Sequence, residues 1–167
     1  MKAKKGVIIA VCTSEKAGVP KHPQEAAVIA EFGILGDYHC KPTRQSFSKP
    51  GTEKPNDDRH VTIVAEESLD CANKALGLSL KPGDLGENIT VRGMGDLSDI
   101  PDGALIRINR SIVLQVSGQN NPCIVLRPYH PEIGRVLFGK RGLLCAVKEG
   151  VGNSVQPGQE VEIGQNE

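Results

Sequence analysis

The chain has 167 residues, enough for one domain (residues 1–167) with a sizeable core. It carries 20 Lys and Arg against 20 Asp and Glu, so its formal net charge is zero, which argues against a general nucleic-acid or membrane-surface binder. Aromatic residues make up 3% with no Trp, which leaves few platforms for base stacking.

The five cysteines, 12, 40, 71, 123 and 145, are odd in number and widely spaced. No C-x-x-C occurs, which speaks against a structural zinc site or a dithiol redox motif. Free thiols, no segment long enough to span a bilayer, and an apolar N-terminal run too short for a signal h-region predict a cytoplasmic protein without a membrane or nucleic-acid partner.

With 19 Gly and 11 Pro, the composition favours many short strands. Lys5–Thr13 reads as the first strand, and Glu25–Glu31 as a second. Gly33 to His39 brings Asp37 and His39 two residues apart, on one face at strand spacing. They would hold an anion or a metal, or be a turn Asp and a surface His. Cys40–Asp58 is loop chemistry throughout. Its Lys41, Arg44, Lys49 and Lys54 would cover an anionic ligand or simply be solvated.

Arg59–Val64 is a clear strand with Arg59 at its mouth. Ala65–Leu76 is a helix, with Glu66 and Glu67 in its first turn, a stripe of Leu69, Ala72, Ala75 and Leu76, a partly buried Cys71, and Gly77 as cap. Pro82-Gly83-Asp84 turns into Gly86-Glu87-Asn88 before another strand. Gly86 permits close backbone approach. Glu87 and Asn88 would bond amide or pterin edges of a ligand, or brace a neighbouring loop.

Ile100–Ile108 and Ser111–Val116 predict a hairpin across Asn109-Arg110. The second strand runs into Gly118-Gln119-Asn120-Asn121-Pro122-Cys123, a turn that would aim one thiol. Cys123 is then a nucleophile, a persulfide carrier or a soft-metal ligand; or it is a small buried hydrophobe opening Ile124-Val125-Leu126. Tyr129–Phe138 reads as a short helix or turn. In the strand after Lys140, Arg141 is a candidate phosphate ligand, Gly142 gives room for close approach, and Cys145 belongs in the core. A Pro-Gly turn at 157–158 leads into the last strand.

Taken together, Gly36-Asp37-Tyr38-His39, Arg59-His60-Val61, Gly83-Asp84-Leu85-Gly86-Glu87-Asn88, Asn121-Pro122-Cys123 and Arg141-Gly142 resemble, in order, the MOSC domains, named for the C-terminal part of molybdenum-cofactor sulfurase. The resemblance spans about Ile34 to Ile163. It implies a mainly β fold with minor α, a closed barrel of complex topology like that of the pyruvate-kinase barrel domain, and molybdenum-cofactor or sulfur chemistry.

It also implies that Cys123 either ligates molybdenum held by molybdopterin or carries sulfane sulfur. Arg59, Arg141 and the backbone near Gly86 would hold the pterin phosphate; Asp37, His39, Glu87 and Asn88 would orient the pterin or relay protons. Sulfur would come from a separate donor protein of the cysteine desulfurase type, which keeps its pyridoxal phosphate to itself, or electrons from a separate donor for reduction of an N-hydroxylated compound. Many relatives carry an Arg two or three residues before the cysteine, where this chain has Asn120 and Asn121. That departure favours the alternative, a non-catalytic interaction module with an inert Cys123.

Overall fold

The computed structural model describes residues 3–46 and 48–164. Met1 and Lys2 of the basic N-terminal stretch lie outside them. In chain order the strands are β1 (Lys4–Thr13), β2 (His22–Gln24), β3 (Ala27–Ala30), β4 (Gly33–Ile34), β5 (Thr43–Gln45), β6 (Glu53–Pro55), β7 (Val61–Ala65), β8 (Ile89–Arg92), β9 (Leu105–Ile108), β10 (Ile112–Gln119), β11 (Leu143–Glu149), β12 (Ser154–Val155) and β13 (Glu160–Gly164). Helix α1 (Glu66–Leu76) follows β7, and α2 (Ile133–Val136) lies between β10 and β11.

Seven strands close a barrel in the order β1–β8–β7–β11–β10–β9–β13 and back to β1. Every neighbour pair is antiparallel except β7–β8. Parallel neighbours need a crossover, and α1 supplies it. Closure removes the free edges an open sheet would expose.

The barrel forms where apolar and polar residues alternate. In β9, Ile106 and Ile108 are buried while Arg107 is exposed; in β13, Val161 and Ile163 are buried between exposed Glu160 and Glu162. Ile8, Val61, Ile63, Ile89, Val91, Leu114, Leu143 and Cys145 join them in the interior. Asn109 and Arg110, at φ 46° and 61°, make the tight β9–β10 turn.

Val64 points the other way from β7, into a second core with Leu69, Ala72, Leu85, Leu126, Ile133 and Leu137 that fixes both helices to the barrel. Gly77 ends α1 in the left-handed region, its N–H donating to the Asn73 carbonyl. No helix among the described residues is long and apolar enough to cross a membrane.

Several expectations change. The stretch 40–58 is not a plain loop: β5 and β6 pair with each other as a small hairpin outside the barrel. Asp37 and His39 sit in a turn after β4, not on a strand face. β10 continues through Gly118 and Gln119 past a bulge, so the turn that aims the cysteine is shorter than its composition suggests. The apolar run Ile124–Leu126 is a 3-10 turn with only Leu126 buried. Cys71 is exposed, because the buried side of α1 runs through Ser68, Leu69 and Ala72, and Ala75 also faces solvent.

Candidate functional site

A cavity of about 330 Å³ lies against the outward side of β7 and β11, where Thr62 and Leu144 face each other across the ladder. The turn after β4 contributes Tyr38, His39 and Lys41, and the β5–β6 hairpin contributes Arg44, Gln45 and Glu53. The segment before β7 adds Asn56, Arg59 and His60; Gly86 and Asn88, then Asn120, Cys123 and Arg141, complete the wall.

Cys123 is exposed, so the reading as a buried small hydrophobe fails. The geometry is local. Asn120 N–H donates to the Gly142 carbonyl (2.8 Å), which ties the end of β10 to the start of β11. The chain then leaves the sheet through Asn121 and Pro122. Cys123 is extended (φ −128°, ψ 171°), and its carbonyl accepts from Leu126 N–H (3.1 Å) at the head of the 3-10 turn.

Arg141 holds this loop from beneath. Its Nη2 donates to the Leu85 carbonyl (2.8 Å), and its Nη1 to the Asn121 carbonyl (3.0 Å) and to Cys123 Sγ (3.3 Å). The guanidinium is buried, and its Nε has no partner. Gly142 makes this position reachable. It has φ 99°, and a Cβ there would stand 2.0 Å from the Ile63 carbonyl oxygen. The glycine therefore lets β11 lie tight on β7; its room is taken by backbone, not by a ligand. Gly86, at φ 84°, lines the cavity, and a Cβ on it would meet Val19 Cγ1 at 3.0 Å.

The wall is rich in cations. Arg44 Nη2 donates to Asp58 Oδ1 (3.1 Å), while its Nε is buried without a partner. Burial pulls the Arg59 guanidinium below the usual arginine range, and the like charge of Arg44 adds to this. Lys41 Nζ lies 3.8 Å over the Tyr38 ring. Burial, then the Lys21 charge, holds the His39 imidazole below the usual histidine range, which favours its neutral form at neutral pH.

His60 has both nitrogens engaged. Nδ1 accepts from Val147 N–H (3.0 Å) and Nε2 stands 2.7 Å from the Asn56 carbonyl, which assigns the proton to Nε2. It locks the end of the hairpin to β11.

His39, Arg59, Gly86, Asn88, Cys123 and Arg141 thus meet around one cavity. Asp37 and Glu87 do not. Asp37 is buried in an ion pair with Lys21 (2.8 Å) and accepts from the Ser14 and His39 N–H groups (3.1 Å each). Glu87 is fully buried. Its Oε1 accepts from Gly83 N–H (2.8 Å) and Thr90 Oγ1 (2.9 Å), and burial pushes its carboxyl above the usual range.

Asn88 touches the cavity, but its amide bridges Thr62 and the Cys12 carbonyl. These three residues brace the wall. Lys21 and Asn56 were not singled out from sequence, and His60 and Asn120 were named without a role; the role of each comes from a hydrogen-bond or ion-pair partner that the fold brings to it.

No group of three His, Cys, Asp or Glu capable of holding a metal occurs among the described residues. A metal at Cys123 would therefore bring its other ligands with it. Lys41, Arg44, Arg59 and Arg141 on the wall suit an anionic organic group, and one exposed thiol suits a soft atom. The donor set thus fits a phosphate-bearing pterin with a soft metal.

The MOSC domain family profile matches residues 50–162. YuaD of Bacillus subtilis (strain 168), provisionally named as a metal-sulfur cluster biosynthesis protein, is 33% identical over 149 residues, 78% of this chain and 76% of its own. The crystal structure of YuaD superposes with a TM-score of 0.86 at 26% identity, covering 99% of both chains. YiiM from Escherichia coli shares the fold at a TM-score of 0.67 and 20% identity, over 98% of this chain and 71% of that one. On the profile match and the relationship to YuaD, this chain belongs to the MOSC domain family.

Proposed function

We propose that this chain handles sulfur in molybdenum-cofactor or related metal–sulfur chemistry, with Cys123 as the carrier of a sulfane sulfur. The observation that carries the reading is an exposed thiol, with the buried Arg141 guanidinium 3.3 Å from its sulfur, at a cavity lined by further cations. The family, and the metal-sulfur cluster biosynthesis named for YuaD, support the same reading.

In the loading step the Cys123 thiolate attacks the outer sulfur of a donor's persulfide. The donor's S–S bond breaks, and the donor leaves as thiolate with the electron pair. Arg141 Nη1 faces the sulfur that carries the negative charge before and after transfer. A nucleophilic acceptor in the cavity then attacks the outer sulfur, and Cys123 departs as thiolate with no net oxidation. His39, neutral at neutral pH, takes up the acceptor's proton. The donor would be a partner of the cysteine desulfurase type.

Molybdopterin fits the same place. Arg44, Arg59 and Arg141 would hold its phosphate, and Cys123 would offer a thiolate to its metal. When bound, the group supplies a metal centre for sulfur- or oxygen-atom chemistry.

The test is two measurements on wild type and Cys123→Ala purified from a host that makes the cofactor. Incubation with inorganic polysulfide followed by peptide mass analysis is expected to add one sulfur atom at Cys123 in wild type, with one adduct fewer per chain in the variant. Absence of that adduct overturns the carrier reading. Molybdenum and pterin present in wild type and lost in the variant would assign Cys123 to metal ligation.

A further inference from the structure

The loop that presents Cys123 is apolar as well as reactive. Ile124 and Phe138 are each 73% exposed, and Val125 is 38% exposed. The local fold does not need them outside: Leu126 anchors the 3-10 turn and Leu137 anchors the end of α2, both fully buried. The two elements are joined. A Cβ on Gly134 would stand 4.0 Å from Pro122 Cβ, so α2 packs beside the cysteine loop, and Phe138 follows two residues after the end of α2. Exposed apolar side chains thus stand directly after Cys123 and just beyond the helix that packs on Pro122. Single exposed hydrophobics need no explanation, but a cluster around a nucleophile does.

The same lobe is basic. Between residues 121 and 141 lie Arg127, Arg135, Lys140 and the buried Arg141; Glu132 pairs with Arg135 and Asp96 with Lys140, which leaves the lobe a net excess of positive charge in a chain whose overall formal charge is zero. Beyond the thiol, the cavity adds Lys41, Arg44 and Arg59. A second copy docking isologously would bring this basic lobe against itself, which like charges disfavour. An acidic partner complements it.

We propose that Ile124, Val125 and Phe138 form the docking surface for the protein that delivers sulfur to Cys123: a partner that presents its persulfide on a loop flanked by apolar residues and an acidic rim. This rests on the sulfur-carrier reading and adds to it the surface and the chemistry of the donor. The transfer across the interface is thiolate attack on the donor's outer sulfur, with the donor's cysteine thiolate leaving.

The experiment compares two sulfur sources for wild type, Ile124→Asp, Phe138→Asp, Arg127→Glu and, as control, Val151→Asp. Val151 is exposed but follows Gly150, which packs on Ser111 and Ile112 at the start of β10, about 20 Å from the end that leads to Cys123. One source is inorganic polysulfide. The other is a pyridoxal-dependent cysteine desulfurase charged with L-cysteine. Thermal melting and sedimentation are followed for each variant.

The expected result is that Ile124→Asp and Phe138→Asp lose at least about tenfold in loading rate from the desulfurase, in line with the loss of an interface anchor. Their loading from polysulfide and their melting stay at wild-type values. Arg127→Glu slows only the protein-borne route, and added salt slows that route in wild type. Equal loading of the variants from the desulfurase overturns the docking surface. So does wild type that loads from polysulfide but not from the desulfurase, with the carrier reading left intact. Self-association abolished by the aspartates would assign the surface to a second copy and overturn the proposal. Failure of wild type to load from either source removes both readings.

Discussion

Replacing Lys21 by Met leaves Asp37 charged in a place where its side chain is 2% exposed. Removing one member of a buried ion pair costs about 3–5 kcal/mol, because the other charge is left desolvated. Asp37 keeps two backbone N–H bonds, from Ser14 and His39, which put this case near the lower end, at about 3 kcal/mol. For a chain of this length each kcal/mol lowers Tm by about 2–4 °C, so Lys21→Met is expected to melt roughly 6–12 °C below wild type. Asp37→Asn added to Lys21→Met removes the stranded charge, and the double variant should be less damaged than the sum of the singles by about 1–3 kcal/mol. Calorimetry or circular dichroism at pH 7 suits the measurement, since the chain has no Trp. A single variant within about 2 °C of wild type, or strictly additive losses, would refute the reasoning.

Glu87 sets a pH dependence. Its folded carboxyl is raised by burial above the unfolded value of 4.5, so the native state binds more protons at pH values between the two. Stability is therefore full below about pH 4.5 as far as this group goes, and is lost as pH rises through the folded value. Glu87→Gln should match or exceed wild type in Tm at pH 7 and lose its advantage on acidification; an advantage that grows on acidification would contradict this. Among the thiols, iodoacetamide at neutral pH is expected to label the exposed Cys123 and Cys71. It should spare Cys12, which burial and the Glu87 charge push up to about 12, and Cys145, which burial also pushes up. Cys123 should outpace Cys71, and Arg141→Met should erase the difference, read by peptide mass spectrometry. Uniformly slow labelling would leave Cys123 an inert thiol in a binding module. Gly142→Ala places a methyl 2.0 Å from the Ile63 carbonyl at φ 99° and should cost about 3 kcal/mol or more, whereas Gly164→Ala, with open space, should stay within about 0.5 kcal/mol in urea unfolding.

The barrel was legible because its strands bury one side. Ile106 and Ile108, or Val161 and Ile163, announce an inward direction by their alternation with charged residues. The β5–β6 hairpin was not, since Thr43–Gln45 and Glu53–Pro55 have no buried residue between them and so no alternation to read. Asp37, Glu87 and Asn88 read equally well as ligand groups or as braces. Only burial and partners decide between those roles, and both come from residues far along the chain, such as Lys21 for Asp37 and Cys12 for Asn88. For Cys123 the local sequence left an aimed thiol and a buried small hydrophobe both open, because a turn of Asn and Pro serves either; its exposure decides between them.

Asn120 and Asn121, where the family resemblance leads us to expect an Arg, bear on where positive charge enters the site. Counted along the sequence, residues 118–126 hold no cation, and the thiol looks unsupported. Counted in space, Arg141 arrives from β11's leading turn and reaches both the Asn121 carbonyl and Cys123 Sγ, because Gly142 lets that turn press onto β7. Arg44 and Arg59 then add charge from the hairpin and from the mouth of β7. Asn121 is therefore not a gap in the charge lining; through its carbonyl it is one of the groups that hold Arg141 in place. Putting an Arg at 121 would add a second guanidinium to the loop that Arg141 holds through the Asn121 carbonyl. The arrangement predicts that Asn121→Arg lowers stability and slows polysulfide loading of Cys123 rather than improving it. Faster loading in that variant would show that the thiol lacks a cation which Arg141 does not supply.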